Sequence, residues 1–240
     1  MQRYFVKDFD KEYSNTFTLS EDDSYHIIKV MRYKINDLIE VVSKDNMYIC
    51  KITELGKNVK CEVNEKVLSK VTNIPNVTIA QSLVKEQKMD YILQKSTELG
   101  VNKIIPIKTI RSIVKIENDN KKVDRWQKIV KEASEQSKRL DIPTIEKPIN
   151  INELAALQYD YKILCSVNET SINIKKALQN VKYSDTILIV IGPEGGFDKK
   201  EEQVLIDSGF ISTSLGTRVL RTETAPLFVL SVINYIFEEW

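Results

Sequence analysis

Thr186-Ile187-Leu188-Ile189-Val190-Ile191 runs straight into Gly192-Pro193-Glu194-Gly195-Gly196-Phe197. An unbroken apolar run of this length predicts a strand buried on both faces, as in a parallel sheet covered by helices. The glycines that follow predict a loop at its carboxyl end, where open α/β sheets bind their ligands. Gly195 and Gly196 permit positive φ and a close approach of ligand to backbone. Glycine is scarce in this chain: it has seven, and five lie between Gly192 and Gly216. A tight strand-to-helix turn would also use such glycines, so both readings stand at this point. GxxxxGK[ST] and GxGxxG are both absent, which excludes a nucleotide P-loop and a Rossmann dinucleotide fingerprint. Glu194 inside the loop would also repel a phosphate.

Outward from this stretch, strands and helices alternate. Strands are predicted at 77–81, 103–107, 162–165 and 210–214, and helices at 88–99, 121–139, 199–208 and 224–238. The helix at 88–99 carries the stripe Met89, Ile92, Leu93, Ser96 and Leu99 and stops at Gly100. Alternation of this kind implies an open α/β sheet with crossover helices. The first seventy residues read differently, as a β-rich module with a hairpin turn at 43–46. Ser20 and Asp23 cap a helix there, with Ile27, Val30 and Met31 on its apolar side. Thr72-Asn73-Ile74-Pro75-Asn76 is the best linker, which gives domains at 1–72 and 73–240.

Composition narrows the function. Of 240 residues, 42% are hydrophobic and 29% charged, enough apolar content for a folded core. No apolar run reaches the ~20 residues of a membrane span, and the charged N-terminal stretch predicts no secretory signal. Cys50, Cys61 and Cys165 are odd in number and far apart, which predicts reduced thiols and a cytoplasmic location. His26 is the sole histidine and no CxxC exists, so no metal site is expected. Acid–base chemistry falls to Asp, Glu, Tyr, Lys or Arg. Residues 85–139 hold 14 Lys and Arg against 8 Asp and Glu, a net of +6, whereas residues 140–240 are net −5. The middle segment is therefore the candidate anion-binding surface, with nucleic acid as one reading and a solvated lysine-rich face as the other.

A second chemistry-bearing stretch is Leu215-Gly216-Thr217-Arg218-Val219-Leu220-Arg221-Thr222-Glu223-Thr224-Ala225. Helix capping by Thr222 or Thr224 would explain Glu223, but arginines are disfavoured ahead of a helix N-terminus. GPEGGF followed by LGxRxLRxETA resembles the SPOUT methyltransferases, and within them the RsmE family of 16S ribosomal RNA (uracil-N3)-methyltransferases. Gln94-Lys95-Ser96-Thr97-Glu98-Leu99-Gly100-Val101, the pair Arg111-Ser112 and Glu132-Ala133-Ser134-Glu135-Gln136-Ser137-Lys138-Arg139 are similar to further blocks of that family. His26-Ile27-Ile28-Lys29-Val30-Met31-Arg32 resembles the HxxxVxR signature of its PUA-like domain. Tyr25 stands where many members have a second histidine.

The resemblance implies a C-terminal SPOUT α/β domain tied in a deep trefoil knot and a small N-terminal PUA-like β-barrel. It implies S-adenosylmethionine as methyl donor, held by loops near 165–169, 192–197 and 215–225. Gly192, Pro193, Glu194, Gly195, Gly196, Leu215, Gly216, Leu220, Thr224 and Ala225 would then line the cofactor. Loss of the uracil N3 proton calls for stabilisation of a developing anion, which nominates Arg111, Arg218 and Arg221 as catalytic, with Glu223 beside them. For Arg111 a surface salt bridge is the alternative, and Glu194 could face the sulfonium or be structural. On the helix at 121–139 the stripe Val123, Trp126, Ile129, Val130, Ala133 continues into Gln136 and Ser137. With Arg139, His26 and Arg32 these form the expected RNA-binding set; the alternatives are a helix end that frays into solvent and a packed histidine. The implied partners are 16S ribosomal RNA, within the small subunit, and a second copy of the chain. Rival readings are a SPOUT enzyme for another base or tRNA, and an assembly factor without activity.

Overall fold

A computed structural model describes residues 1–6, 15–68, 74–112, 114 and 119–237. The N-terminal residues 7–14 and the expected boundary at 72/73 lie outside the described residues. The chain divides into two units, Met1–Val71 with Ser134–Ile142, and Thr72–Ala133 with Pro143–Trp240. Residues 134–142, assigned from sequence to 73–240, thus cluster with the N-terminal residues.

In the first unit, β1 (Arg3–Phe5), β2 (Thr16–Thr18), α1 (Glu21–Tyr25), β3 (Leu38–Ser43), β4 (Asn46–Glu54) and β5 (Lys60–Val67) follow in order. The sheet runs β1-β3-β4-β5-β2, with β1 parallel to β3 and the other pairs antiparallel. Among the described residues β1 and β2 do not pair, so the ladder is open where a closed barrel was expected. The β3–β4 hairpin turns at 43–46 as expected, with Lys44 (φ 49°) and Asp45 (φ 61°) as its two central residues. Left-handed backbone at both positions matches the twist of the flanking strands.

Ser20 caps α1 as expected, its Oγ accepting from the Asp23 N–H at 3.1 Å. The reciprocal arm differs, because the Asp23 carboxylate takes the Ser20 hydroxyl at 2.7 Å. The helix then widens over His26–Val30, where the Met31 N–H donates to the His26 carbonyl five residues back. One extra residue in a turn rotates everything after it by about 100°. Ile27 therefore stays fully buried, whereas Val30 and Met31, expected on the apolar side, are exposed.

Arg3 explains why 134–142 join this unit. It is buried, and its Nε donates to Glu40 Oε2 at 2.9 Å. Its Nη1 donates to the carbonyls of Lys138 and, at 2.9 Å, Arg139. Lys138 closes the loop by donating from Nζ to Glu40 Oε2 at 3.0 Å.

The second unit contains β6 (Asn76–Ser82), α2 (Glu86–Glu98), β7 (Lys103–Lys108), α3 (Asp119–Gln136, whose last residues belong to the first unit), β8 (Thr144–Ile145), β9 (Ile149–Asn150), α4 (Ile151–Ala155), β10 (Tyr161–Cys165), α5 (Ile174–Ala177), β11 (Thr186–Ile191), α6 (Lys199–Asp207), β12 (Ile211–Thr213) and α7 (Ala225–Phe237). The order is β12-β10-β11-β6-β7-β8, with β9 beside β7, and every pair is parallel. β11 lies between β10 and β6 with Ile187 to Ile191 buried, as its apolar run requires. A proline within a strand points to an edge or a strand end, yet β7, which contains Pro106, is paired on both sides. Ile104 accepts from the Glu146 N–H on the β8 side, and Pro106, two residues on, faces the same way. It falls in the gap between β8 and β9, where no ladder donor is needed.

The Arg3 cluster gives a stability test. Burial pushes the Glu40 carboxyl upward, but the bonds from Lys138 and Arg3 outweigh it and hold its pKa below the usual value. A depressed folded pKa stabilises the fold above the unfolded value and is lost as pH falls through the folded one. Arg3→Met should cost about 3 kcal/mol in urea unfolding at neutral pH, and Glu40→Gln should flatten the acid limb of stability below pH ~4.

Candidate functional site

Parallel strands release all their following loops at one edge of a sheet. Here that edge carries residues 83–85 after β6, 109–112 after β7, 166–173 after β10, 192–198 after β11 and 214–224 after β12. The last of these starts from β12, the edge strand, and reaches past β10 to partners at the ends of β11 and β6. Thr222, buried, donates from Oγ1 to the Gly192 carbonyl at 2.7 Å. The same hydroxyl accepts from Gln81 Nε2 at 3.1 Å. Because its single proton is committed to Gly192, the Gln81 group facing it must be the N–H₂ end.

The loop 192–198 is internally braced. The Gly196 N–H donates to the Pro193 carbonyl at 2.9 Å, and Phe197 lies so close to Gly192 that a Cβ there would stand 3.1 Å from its ring. Gly196 adopts φ +66° and Gly216 φ +120°, and a Cβ on either would meet open space. Gly195 has no positive φ, so the left-handed conformation expected of the pair belongs to Gly196 alone. The Gly195 carbonyl accepts from Arg111 Nη1 at 3.0 Å, and Asp198 Oδ2 lies 3.4 Å from Arg111 Nη2. Asp198 also caps α6 in a full capping box with Glu201.

Lys88, in the first turn of α2, lies 3.1 Å from Glu194 Oε1 and 3.2 Å from Glu223 Oε2. The ammonium thus joins the loop after β11 to the segment before α7. Hydrogen bonding to Glu194 raises the Lys88 pKa. Burial works against the Glu194 carboxylate, but its own backbone N–H and Lys88 outweigh it and lower its pKa. The Lys88 contribution persists until alkaline pH and the Glu194 contribution is lost only in acid, so the pair stays charged through neutrality. Both side chains are about one-third exposed, and such a pair contributes at most ~1 kcal/mol.

The sequence-predicted residues separate into two groups. Arg111, Arg218, Arg221, Glu223 and every cofactor candidate from Gly192 to Ala225 lie in the second unit, on the loops just described. Arg218 and Arg221 are exposed, with no side-chain partner among the described residues. Leu215 and Leu220 are half-buried, Ala225 is buried and Thr224 exposed. Burial pushes the thiol of Cys165, at the end of β10, up to about 12. His26, Arg32, Gln136, Ser137 and Arg139 all lie in the first unit. His26 Nδ1 is 3.0 Å from the Tyr4 hydroxyl. Exposed Arg32 takes φ 56° at the helix end. Arg139 grips Asp141 with two bonds, Nε at 3.1 Å and Nη2 at 2.8 Å.

Two expectations need correction. Gln136 does not continue the inward stripe of α3: it is exposed, and the buried residues there are Ala133, Ser134 and Glu135. The positive charge of 85–139 is largely spent locally. Lys122 and Arg125 pair with Glu86, Arg125 also with Asp90, Lys108 with Asp119 and Lys103 with Glu146. Sequence reading missed Gln81 and Lys88. Gln81 offered a signal, a polar residue ending an apolar strand directly before a loop.

Geometry of this kind defines an α/β domain whose loops converge at the carboxyl edge of a parallel sheet, in a chain that also carries a β-rich module. Residues 72–234 match the family model of an RNA methyltransferase domain, and residues 19–63 that of an RNA methyltransferase PUA domain. Ribosomal RNA small subunit methyltransferase E of Bacillus subtilis is 36% identical over 247 residues, covering 98% of this chain and 96% of the relative. The crystal structure of the Neisseria gonorrhoeae enzyme of that name, bound to S-adenosyl methionine, matches with a TM-score of 0.88 at 30% identity, covering 99% of this chain and 98% of that one. A methyltransferase from Legionella pneumophila in complex with the same cofactor matches at 26% identity with a TM-score of 0.88, covering 99% and 98%. The chain belongs to the ribosomal RNA small subunit methyltransferase E family.

Gly195 and Gly196 make a sharp pair for testing the loop. Gly196→Ala should destabilise its conformation by about 1–2 kcal/mol, the cost of left-handed backbone for an L-residue. Gly195→Ala, whose Cβ would stand 3.7 Å from Arg111 Cδ, should leave it intact. Amide hydrogen exchange of residues 192–198 distinguishes the two.

Proposed function

We propose that this chain transfers a methyl group from S-adenosylmethionine to N3 of a uridine in 16S ribosomal RNA. The observation that carries the reading is the joining of the GPEGG loop to the LGxRxLRxETA segment through Thr222 at the carboxyl edge of the sheet, in a chain of this family.

The residues present fit the cofactor. Gly196 and Gly216 leave open space where side chains would stand. The buried Ser82 Oγ, at the end of β6, has no partner among the described residues and can serve a polar ligand. Gly192, Pro193, Glu194, Gly195, Gly196, Leu215, Gly216, Leu220, Thr224 and Ala225 would hold it, the half-buried leucines against the apolar surface of the adenine. When bound, S-adenosylmethionine supplies an electrophilic methyl group.

The chain's own task is to make uracil N3 nucleophilic. The imide must lose its proton, and charge then develops on the ring. Arg218 and Arg221 have free guanidinium groups that can meet this charge. Arg111 and Glu223 are bound within the site, so their role is to shape the loops. The first unit, a PUA domain by its family match, would bind the RNA through residues such as His26, Arg32, Ser137 and Arg139. Arg139 would have to exchange Asp141 for a phosphate.

Three finer features complete the proposal. The second unit carries the deep trefoil knot, a reading supported by the reach of residues 214–224 from the edge strand to the ends of β11 and β6. The enzyme works as a homodimer, supported by α7: it buries Ala225, Val229, Leu230 and Ile233 but exposes Phe228, Tyr235 and Ile236. No helix of the described residues is long and apolar enough to cross a membrane, and rRNA as substrate supports a cytoplasmic location.

Titration calorimetry should detect S-adenosylmethionine binding, and mass spectrometry of 16S rRNA from a deletion strain should lack one N3-methyluridine that the gene restores. An unmodified wild-type rRNA, or no cofactor binding, overturns the reading. Arg218→Ala or Arg221→Ala should lower kcat about 10²-fold while calorimetry finds cofactor affinity little changed.

A further inference from the structure

The three loops nominated from sequence omit the strand that holds two of them. Gln81 is the penultimate residue of β6 and pairs with Ile191 of β11 in the sheet. It is fully buried, and its Nε2 bonds both the Ser82 carbonyl and Thr222 Oγ1, at 3.1 Å each. A methionine of similar volume would fill the space without a buried polar group to satisfy. What the amide supplies is direction. With its donor end toward Thr222, the threonine hydroxyl is left to donate to the Gly192 carbonyl at 2.7 Å.

That bond joins loop 192–198 to segment 214–224, which are far apart in sequence. The Gly192 carbonyl is also the first of the glycine loop, and Phe197 packs against the same residue. Gly192 is therefore clamped on its carbonyl and on its Cα. Lys88 bridges the same two segments by ion pairs, but a half-exposed pair is weakened by salt, whereas a buried hydrogen bond is not.

We propose that Gln81 and Thr222 are positioning residues: a hydrogen-bonded relay, Gln81 to Thr222 to Gly192, that presets the two cofactor loops before the cofactor arrives. The relay acts on binding and not on the methyl transfer itself, and it rests on the reading of S-adenosylmethionine as ligand. Removing the hydroxyl leaves a buried carbonyl and a buried amide without their partner, so the loops separate more readily.

Thr222→Val and Gln81→Met keep the volume and delete the bonds. Each should raise the dissociation constant for S-adenosylmethionine, measured by calorimetry, about tenfold or more. The KM for the cofactor should rise with it, while kcat at saturating cofactor and the KM for RNA stay unchanged. Thr222→Ser keeps the hydroxyl and should restore wild-type affinity. The double variant Gln81→Met with Thr222→Val should be no worse than Thr222→Val alone, because both act through one bond. Wild-type affinity in folded Thr222→Val, failure of Thr222→Ser to rescue, or additive losses would overturn the relay. If the wild-type chain binds no cofactor, the functional reading fails instead. Hydrogen exchange of residues 192–198, faster in Thr222→Val and normal in Thr222→Ser, then supports the relay, and equal exchange in both removes it.

Discussion

Every strand of the second unit's sheet runs the same way, and that single constraint organises the site. Parallel neighbours cannot be joined by tight turns, so the connection between two paired strands crosses a face of the sheet as a helix or long loop. All the loops that leave the strands then open at one edge. The glycine loop after β11 and the arginine-bearing segment after β12 meet there because β11 is central and the segment from the edge strand returns toward it. Gln81, at the end of the neighbouring β6, supplies the fixed point to which both are tied.

Charge and hydrogen bonding divide the work at that edge. The buried bonds through Thr222 are insensitive to salt and set the loop geometry, while Lys88 with Glu194 and Glu223 adds a weaker electrostatic tie on the solvent side. Arg111 holds the Gly195 carbonyl, whereas Arg218 and Arg221 are exposed and have no side-chain partner among the described residues. Three arginines that look alike in sequence thus have different standing. What decides it is which partner lies within reach, and that depends on elements far apart along the chain.

The first unit shows the same logic on a smaller scale. Arg3 is one of many basic residues in sequence, yet it is the buried cation that collects the carbonyls of Lys138 and Arg139 and pairs with Glu40. A segment 135 residues away is thereby drawn into the N-terminal unit. No periodicity or linker signal near residues 134–142 announces this, because the carbonyl groups involved are common to every residue.

By itself the sequence determined the main strands and helices of the α/β sheet and the loops in which a site was expected. The apolar run into GPEGG specified a buried strand ending in a loop, since burial on both faces admits no polar residue. The stripe Met89, Ile92, Leu93 and Ser96 specified α2, and Gly100, at φ +90°, its end. The motif blocks pointed to the chemistry. Tertiary structure decided the rest: that Val30 and Met31 turn outward after one wide helical turn, that Gly196 and not Gly195 needs positive φ, and that Gln136 faces solvent. It also decided that Glu194 is paired with a lysine, and that Gln81 governs Thr222. In each case the outcome depends on a backbone dihedral or a partner distant in sequence, and local patterns of polarity encode neither.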